Sequence, residues 1–179
     1  MARKGESDVF DPLAGTVPRS IASDGVGGRA ADGGRRTDRP LGKQGVDLLS
    51  HVPLFEGLPK RMLRQLAESA DVVTFNEREV IVEEGAAGGT FFVLVEGEAK
   101  IVRRKRTIAK VAPGEFFGEI SLLDGGPRTA SVIADTPVTA IRIFKRSFDK
   151  LVASDPSVAA RMLQVVARRL REAERPIAG

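Results

Sequence analysis

The period of the apolar residues changes at residue 71, and this change restricts the fold more than any other feature of the chain. From there to residue 143, apolar positions fall in short runs: 72–75 (VVTF), 80–82 (VIV), 90–95 (TFFVLV), 99–102 (AKIV), 107–111 (TIAKV), 131–134 (SVIA) and 139–143 (TAIRI). Val, Ile, Thr and Phe dominate them, the residue types that suit a pleated, half-buried surface. Asn76, Gly85, Gly88-Gly89, Gly97, Pro113-Gly114 and Asp135-Thr136-Pro137 punctuate the runs. Short strands at this spacing predict a sandwich or barrel. The pattern leaves strand order open.

Helices are expected on both sides of the β region. Leu48, Leu49, Val52, Leu54 and Phe55 are apolar, with Pro53 interrupting them, and Leu58, Met62, Leu63, Leu66, Ala67 and Ala70 follow at helical spacing. Pro59 suits the first turn of that second helix. His51 reads as a partly exposed helix residue. After residue 143, Ser147 is expected to cap a helix carrying Phe148, Leu151 and Val152. Ser154-Asp155-Pro156 opens a longer one, with Val158, Ala159, Met162, Leu163, Val166 and Leu170 on one face. Arg161, Arg168, Arg169 and Arg171 lie towards its end, where cations suit the helix dipole, and Pro176 stops it.

Totals narrow the function classes. The chain has 179 residues, which fits one domain plus a tail. Residues 1–44 are rich in Gly, Asp, Arg and Ser and poor in apolar residues, so this tail is expected to be disordered. The absence of Cys excludes a disulfide framework, a thiol nucleophile and a cysteine metal site, and the single His excludes a multi-histidine metal cluster. No metal is expected. No apolar run approaches the length needed to span a bilayer, and the N-terminus lacks a signal-peptide core, so a soluble, cytoplasmic protein without membrane contact is expected. The net charge of +4 permits nucleic-acid contact without arguing for it. Arg103-Arg104-Lys105-Arg106, between two predicted strands, reads as a solvated hairpin turn.

One stretch carries site chemistry: Phe117-Gly118-Glu119-Ile120-Ser121-Leu122, then Pro127-Arg128-Thr129-Ala130-Ser131. Gly118 lets a ligand approach backbone where a Cβ would block it. Glu119 opens a short apolar turn whose first N–H groups lack helical partners and could point at a phosphate. Arg128 can grip two phosphate oxygens with its planar fork, and Thr129 adds a hydroxyl. A carboxylate and a guanidinium nine residues apart, with a Gly-Gly-Pro turn between them, suit a ligand bearing both hydroxyl and phosphate groups, such as a ribose phosphate. The competing structural reading is an internal Arg128–Glu119 ion pair that holds a loop.

These residues resemble the phosphate-binding cassette of cyclic-nucleotide-binding domains: Phe-Gly-Glu, apolar, small, Leu, a short spacer, then Pro-Arg-small-Ala, without a gap from Phe117 to Ala130. The flanks agree at Val52 to Leu58, Val80 to Gly85 and Phe91 to Glu98, although Gly88-Gly89 stands where relatives often carry Gly-Asp. The resemblance covers residues 45–175 and implies a mainly β fold with flanking helices. That fold is an eight-stranded jelly roll at 71–143 with the cassette at 117–131, N-terminal helices at 45–70, and hinge and lid helices at 147–175.

It also implies roles. Arg128 would pair with the cyclic phosphate, Glu119 would accept the ribose 2′-OH, and Gly118 would lie against the sugar. Backbone N–H groups of Ile120 and Ser121 would complete the cradle, with Phe117, Thr129 and Ala130 alongside. Phe148 resembles the apolar hinge residue. Arg168, Arg169 or Leu170 would cap the base from the lid, because no Trp or Tyr is available to stack on it. Cyclic AMP is the first expected ligand. Cyclic GMP is the second, since Thr after the cassette Arg often accompanies guanine.

The reading that follows is a non-enzymatic receptor domain for signal transduction and allosteric regulation of an unknown protein effector. No nucleophile–base pair is visible for catalysis. The alternatives are a relative of a cyclic-AMP-dependent transcription regulator without its helix-turn-helix, or a scaffold that no longer binds ligand. Sequence-specific DNA binding is not expected, because the chain leaves no room for a helix-turn-helix after the lid helix. The apolar stripe on that helix allows a homodimer.

Overall fold

The computed structural model describes residues 35–36 and 41–173. Among the described residues nine strands form two antiparallel sheets, and helices cover one of them. The first sheet has the order β1 (Arg35–Arg36), β2 (Asp71–Phe75), β9 (Val138–Phe144), β4 (Thr90–Glu96), β7 (Phe116–Phe117). The second has the order β3 (Val80–Val82), β8 (Ser131–Ala134), β5 (Ala99–Arg103), β6 (Arg106–Val111). The expected mainly β jelly roll with flanking helices is what the chain forms: the eight strands β2 to β9 make the roll, and β1 adds a two-residue edge.

Side-chain alternation places two cores on opposite faces of the first sheet. Phe92, Leu94, Phe117, Val73, Phe75, Val138 and Ala140 point inward, towards Ile81, Val82, Ala99, Val111, Val132 and Ala134 of the second sheet. Their neighbours Phe91, Val93, Val95, Phe116, Val72, Ile141 and Ile143 point outward, towards the helices. The central strands therefore bury both faces, which is why residues 90–95 and 138–143 are almost unbroken in burial. Phe91 is the hub of the outer core, edge-to-face with Phe55, Phe116 and Phe148 at 6.2, 6.0 and 5.7 Å.

The helical layer comprises α1 (Gly42–Ser50), a 3₁₀ turn at Pro53–Phe55, α2 (Lys60–Glu68), α4 (Lys145–Ser154) and α5 (Ser157–Ala173). The short helix α3 (Glu119–Asp124) is inserted in the chain between β7 and β8, and its Leu122 joins the outer core. His51 caps the end of α1 and is exposed, its Nδ1 2.7 Å from the Asp47 carbonyl.

The tail expected at residues 1–44 lies mostly outside the described residues; of it, Arg35–Arg36 pair with Thr74 and Val73 along the edge of β2. Three expectations need correction. Pro59 is the N-cap of α2 rather than part of its first turn. Ser147 does not cap α4: β9 runs straight into the helix at Lys145, whose N–H donates to the Gly89 carbonyl at 2.9 Å, and Ser147 is buried inside the first turn. The apolar stripe of α5 also divides. Val158 and Met162 are fully buried, with Val165 packed beside them, whereas Leu163 is 63% and Leu170 58% exposed. The packed seam runs 158, 162, 165, 169, and the second stripe is rotated out of it by about 100° per residue.

Candidate functional site

β7 carries the chain into the site. Its ladder to β4 sets Phe117 opposite Phe92, which brings Gly118 against the start of β4. Gly118 has φ +86°, and a Cβ there would lie 2.7 Å from Arg128 Nη1 and 3.2 Å from the Thr90 carbonyl oxygen. An L side chain is therefore disfavoured twice, by conformation and by space. The left-handed turn at Gly118 starts α3, which a second left-handed glycine, Gly125, ends.

The chain then returns to the loop before β4. Pro127 bridges to Ala87, the Arg128 N–H donates to the Ala86 carbonyl, and the Gly85 N–H donates to the Arg128 carbonyl, both at 2.8 Å. The Ser121 hydroxyl donates to the Pro127 carbonyl at 3.1 Å, joining α3 to the same loop. A Cβ on Gly88 would sit 2.3 Å from the Ser121 Cβ, so packing demands this glycine, whereas at Gly89, which stands where relatives often carry Asp, a Cβ would meet nothing within 4 Å.

Arg128 is 4% exposed, and its plane is set by three bonds. Nη1 donates to the carbonyls of Thr90 at 2.7 Å and Gly118 at 3.2 Å, and Nη2 donates to Thr90 Oγ1 at 2.9 Å. Glu119, 3% exposed, does not pair with Arg128. Its Oε1 instead accepts from Arg169 Nη1 of α5 at 2.5 Å. Nη2 of the same guanidinium donates to the Phe116 carbonyl at 2.5 Å, and its carbon lies 5.0 Å from the Phe116 ring centroid. The internal Arg128–Glu119 pair is thus not formed. Each charged group has its own support, and the last helix reaches into the cassette.

Phe117, Gly118, Glu119, Ile120, Ser121 and Arg128 lie together around the Gly118 turn, with Thr129 exposed and Ala130 half-buried at the rim. Ile120 and Ser121 are in the first turn of α3, where N–H groups have no acceptor within the helix. Of the three residues expected to cap a base, Arg168 and Leu170 face outward, and Arg169 is committed to Glu119 and Phe116. Phe148 lies buried against Phe91 in the outer core. Two contributors escaped the sequence reading. Thr90 orients Arg128 with both its carbonyl and its hydroxyl. Phe116 supplies a carbonyl and a ring face to Arg169. A lone buried hydroxyl at the head of an apolar strand was the available signal for Thr90. Among the described residues no group of three or more His, Cys, Asp or Glu could hold a metal, and no helix is long and apolar enough to cross a membrane.

The sequence profile of the family described as "Cyclic nucleotide-binding domain" matches residues 72–155. A CRP-like cAMP-activated global transcriptional regulator of Mycobacterium tuberculosis is 28% identical over 74% of this chain and 61% of its own length. A cAMP-dependent protein kinase regulatory subunit of Aspergillus fumigatus is 35% identical over 58% of this chain and 26% of its own. The chain therefore spans less than two thirds of either curated relative. The solved N-terminal domain of a transcriptional regulator from Streptomyces coelicolor superposes with a TM-score of 0.57 at 35% identity, covering 71% of this chain and 92% of that one.

Proposed function

The chain belongs to the cyclic nucleotide-binding domain family, and from that premise we propose that residues 45–175 are a non-enzymatic cyclic-nucleotide receptor whose last helix responds to ligand and regulates a partner protein. Cyclic AMP is the first ligand and cyclic GMP the second. The observation that carries this reading is the pair of buried, separately supported charges at the Gly118 notch: Arg128 held by Thr90 and Gly118, and Glu119 held by Arg169. A guanidinium fixed in plane beside the first turn of α3 suits a cyclic phosphate, with its charge and its fork both used. A buried carboxylate next to it suits a ribose hydroxyl, because a carboxylate can only accept. The relatives named for activation by cyclic AMP, or dependence on it, support the choice of base.

The route from ligand to helix runs through Glu119. Its carboxylate is the group that would take the ribose 2′-OH, and it is also the group that Arg169 of α5 grips. A ligand that adds a donor to Glu119 alters the bond that holds the end of α5. By linkage, the helix moves only as far as the ligand's affinities for the two positions differ. The site offers no nucleophile–base pair, and the named relatives are regulators, so turnover of the nucleotide is not part of the proposal.

Isothermal titration calorimetry with cyclic AMP and cyclic GMP side by side tests it. Truncating one member of a buried charge pair costs about 2–5 kcal/mol of binding, so Arg128→Ala is expected to weaken the preferred nucleotide about thirtyfold or more. Unchanged affinity in a variant with native circular dichroism refutes the assignment, as does the absence of heat with either nucleotide in the unmodified chain.

A further inference from the structure

The β5–β6 hairpin has no part in the site described above, yet its chemistry departs from that of a passive turn. Between Ala99 and Val111 the sequence carries six cations, Lys100, Arg103, Arg104, Lys105, Arg106 and Lys110, and no carboxylate. The whole chain has 28 cations and 24 carboxylates, so outside the hairpin 22 cations face 24 carboxylates. The net positive charge of the protein is concentrated in this one ribbon.

Its geometry runs against local stability in two ways. The turn residues Arg104 and Lys105 have φ of +48° and +65°, the left-handed pair of a two-residue hairpin that Asn-Gly would occupy with least strain. Arg103 and Arg106 are direct cross-strand partners, a like-charge pair. Among the described residues none of these four side chains forms an ion pair, although Lys100 pairs with Asp135 at 2.6 Å. Backbone strain and a run of cations without side-chain ion pairs, held together at one hairpin turn, point to use rather than accident.

We propose that the tip of the β5–β6 hairpin docks an acidic segment of a protein partner. Three observations favour a peptide over a nucleic acid. The basic surface is bounded by a carboxylate: the exposed Glu84 adjoins it, its Oε2 accepting the Arg104 backbone N–H at 3.0 Å, where a duplex laid across the tip would bring phosphates against it. The hairpin has no aromatic side chain on which a base could stack. Beside the cations Ile108 is 58% exposed on β6, the outer strand of its sheet, an apolar contact that a side chain flanked by carboxylates can cover.

Fluorescence anisotropy on the full chain tests the proposal, with a labelled ten-residue peptide alternating Glu and Leu as the probe. The peptide is expected to bind and to weaken as salt is raised. The double variant Arg104→Asn/Lys105→Gly, which removes two charges while installing the favoured turn, is expected to weaken it about tenfold. Arg61→Ala/Arg64→Ala, which removes two exposed cations from α2, is expected to leave it unchanged. No binding, equal loss in the two double variants, or tighter binding of a 20-base-pair DNA duplex or of phosphatidylserine vesicles overturns the proposal.

Discussion

Arg169→Ala should loosen the end of α5 without disturbing its beginning. The helix is fastened at two places. At its start Val158 and Met162 are wholly buried, and the Ser157 N–H donates to Asp155 Oδ1 at 3.0 Å. Towards its end Leu163 and Leu170 face water, and the principal tie is the Arg169 guanidinium on Glu119 and Phe116. A hydrogen bond to a charged group contributes about 1.5–3 kcal/mol, and a guanidinium over an aromatic ring contributes about 0.5–1 kcal/mol at a partly exposed site. The side chain is 34% exposed, which takes the charge term to its lower end, and immobilising it costs roughly 1–2 kcal/mol of rotamer entropy. With the second bond to the Phe116 carbonyl included, the net is about 2 kcal/mol, or roughly thirtyfold in the equilibrium that opens the last turns. Amide hydrogen exchange of the ligand-free protein, read by nuclear magnetic resonance, is the assay. Exchange at residues 166–171 should rise about thirtyfold, while residues 158–162 stay protected. A change below threefold at 166–171, or an equal change along the whole helix, refutes the idea that Arg169 is a local fastening.

Gly118→Ala should cost about 2–3 kcal/mol, from the left-handed φ together with a Cβ 2.7 Å from Arg128 Nη1, and urea unfolding would read it. Arg104→Asn/Lys105→Gly should instead stabilise the fold by about 1–2 kcal/mol, seen as a raised Tm, because it relieves two left-handed residues and a charge cluster. Asp155 has its carboxyl held below the ordinary 3.8 by the Ser157 hydroxyl first and the Ser157 N–H second. A depressed acid stabilises the folded form above its unfolded value and loses that effect as pH falls through the folded one. Protection of the first turn of α5 should therefore fall with pH only below about 3.8, and Asp155→Asn should abolish that step in exchange measurements.

Contiguous patterns were the legible part of this chain. The runs at 90–95 and 138–143 stand out because both faces of β4 and β9 are buried, and the cassette stands out because Gly118, Glu119 and Arg128 lie within eleven residues of one another. What the sequence did not disclose depends on distance along the chain. Thr90 meets Arg128 across 38 residues and Arg169 meets Glu119 across 50, so neither pairing leaves a local pattern. Helical spacing correctly placed the apolar residues of α5 but not the seam it buries. Val158, Met162 and Leu163 are equally apolar on paper, and only the packed surface beneath decides which of them turns inward. Ser147 looked like a cap for a related reason: a hydroxyl near a helix start is the usual signal, but a strand that leads straight into α4 leaves it no loop to cap.

Strand β4 is a wall common to two rooms. Phe91, Val93 and Val95 furnish one and Phe92 and Leu94 the other, so a slip of one residue would exchange the two sets and unfit both rooms at once. Locked in this way from either side, the strand keeps a fixed datum against which any displacement of α5 is gauged.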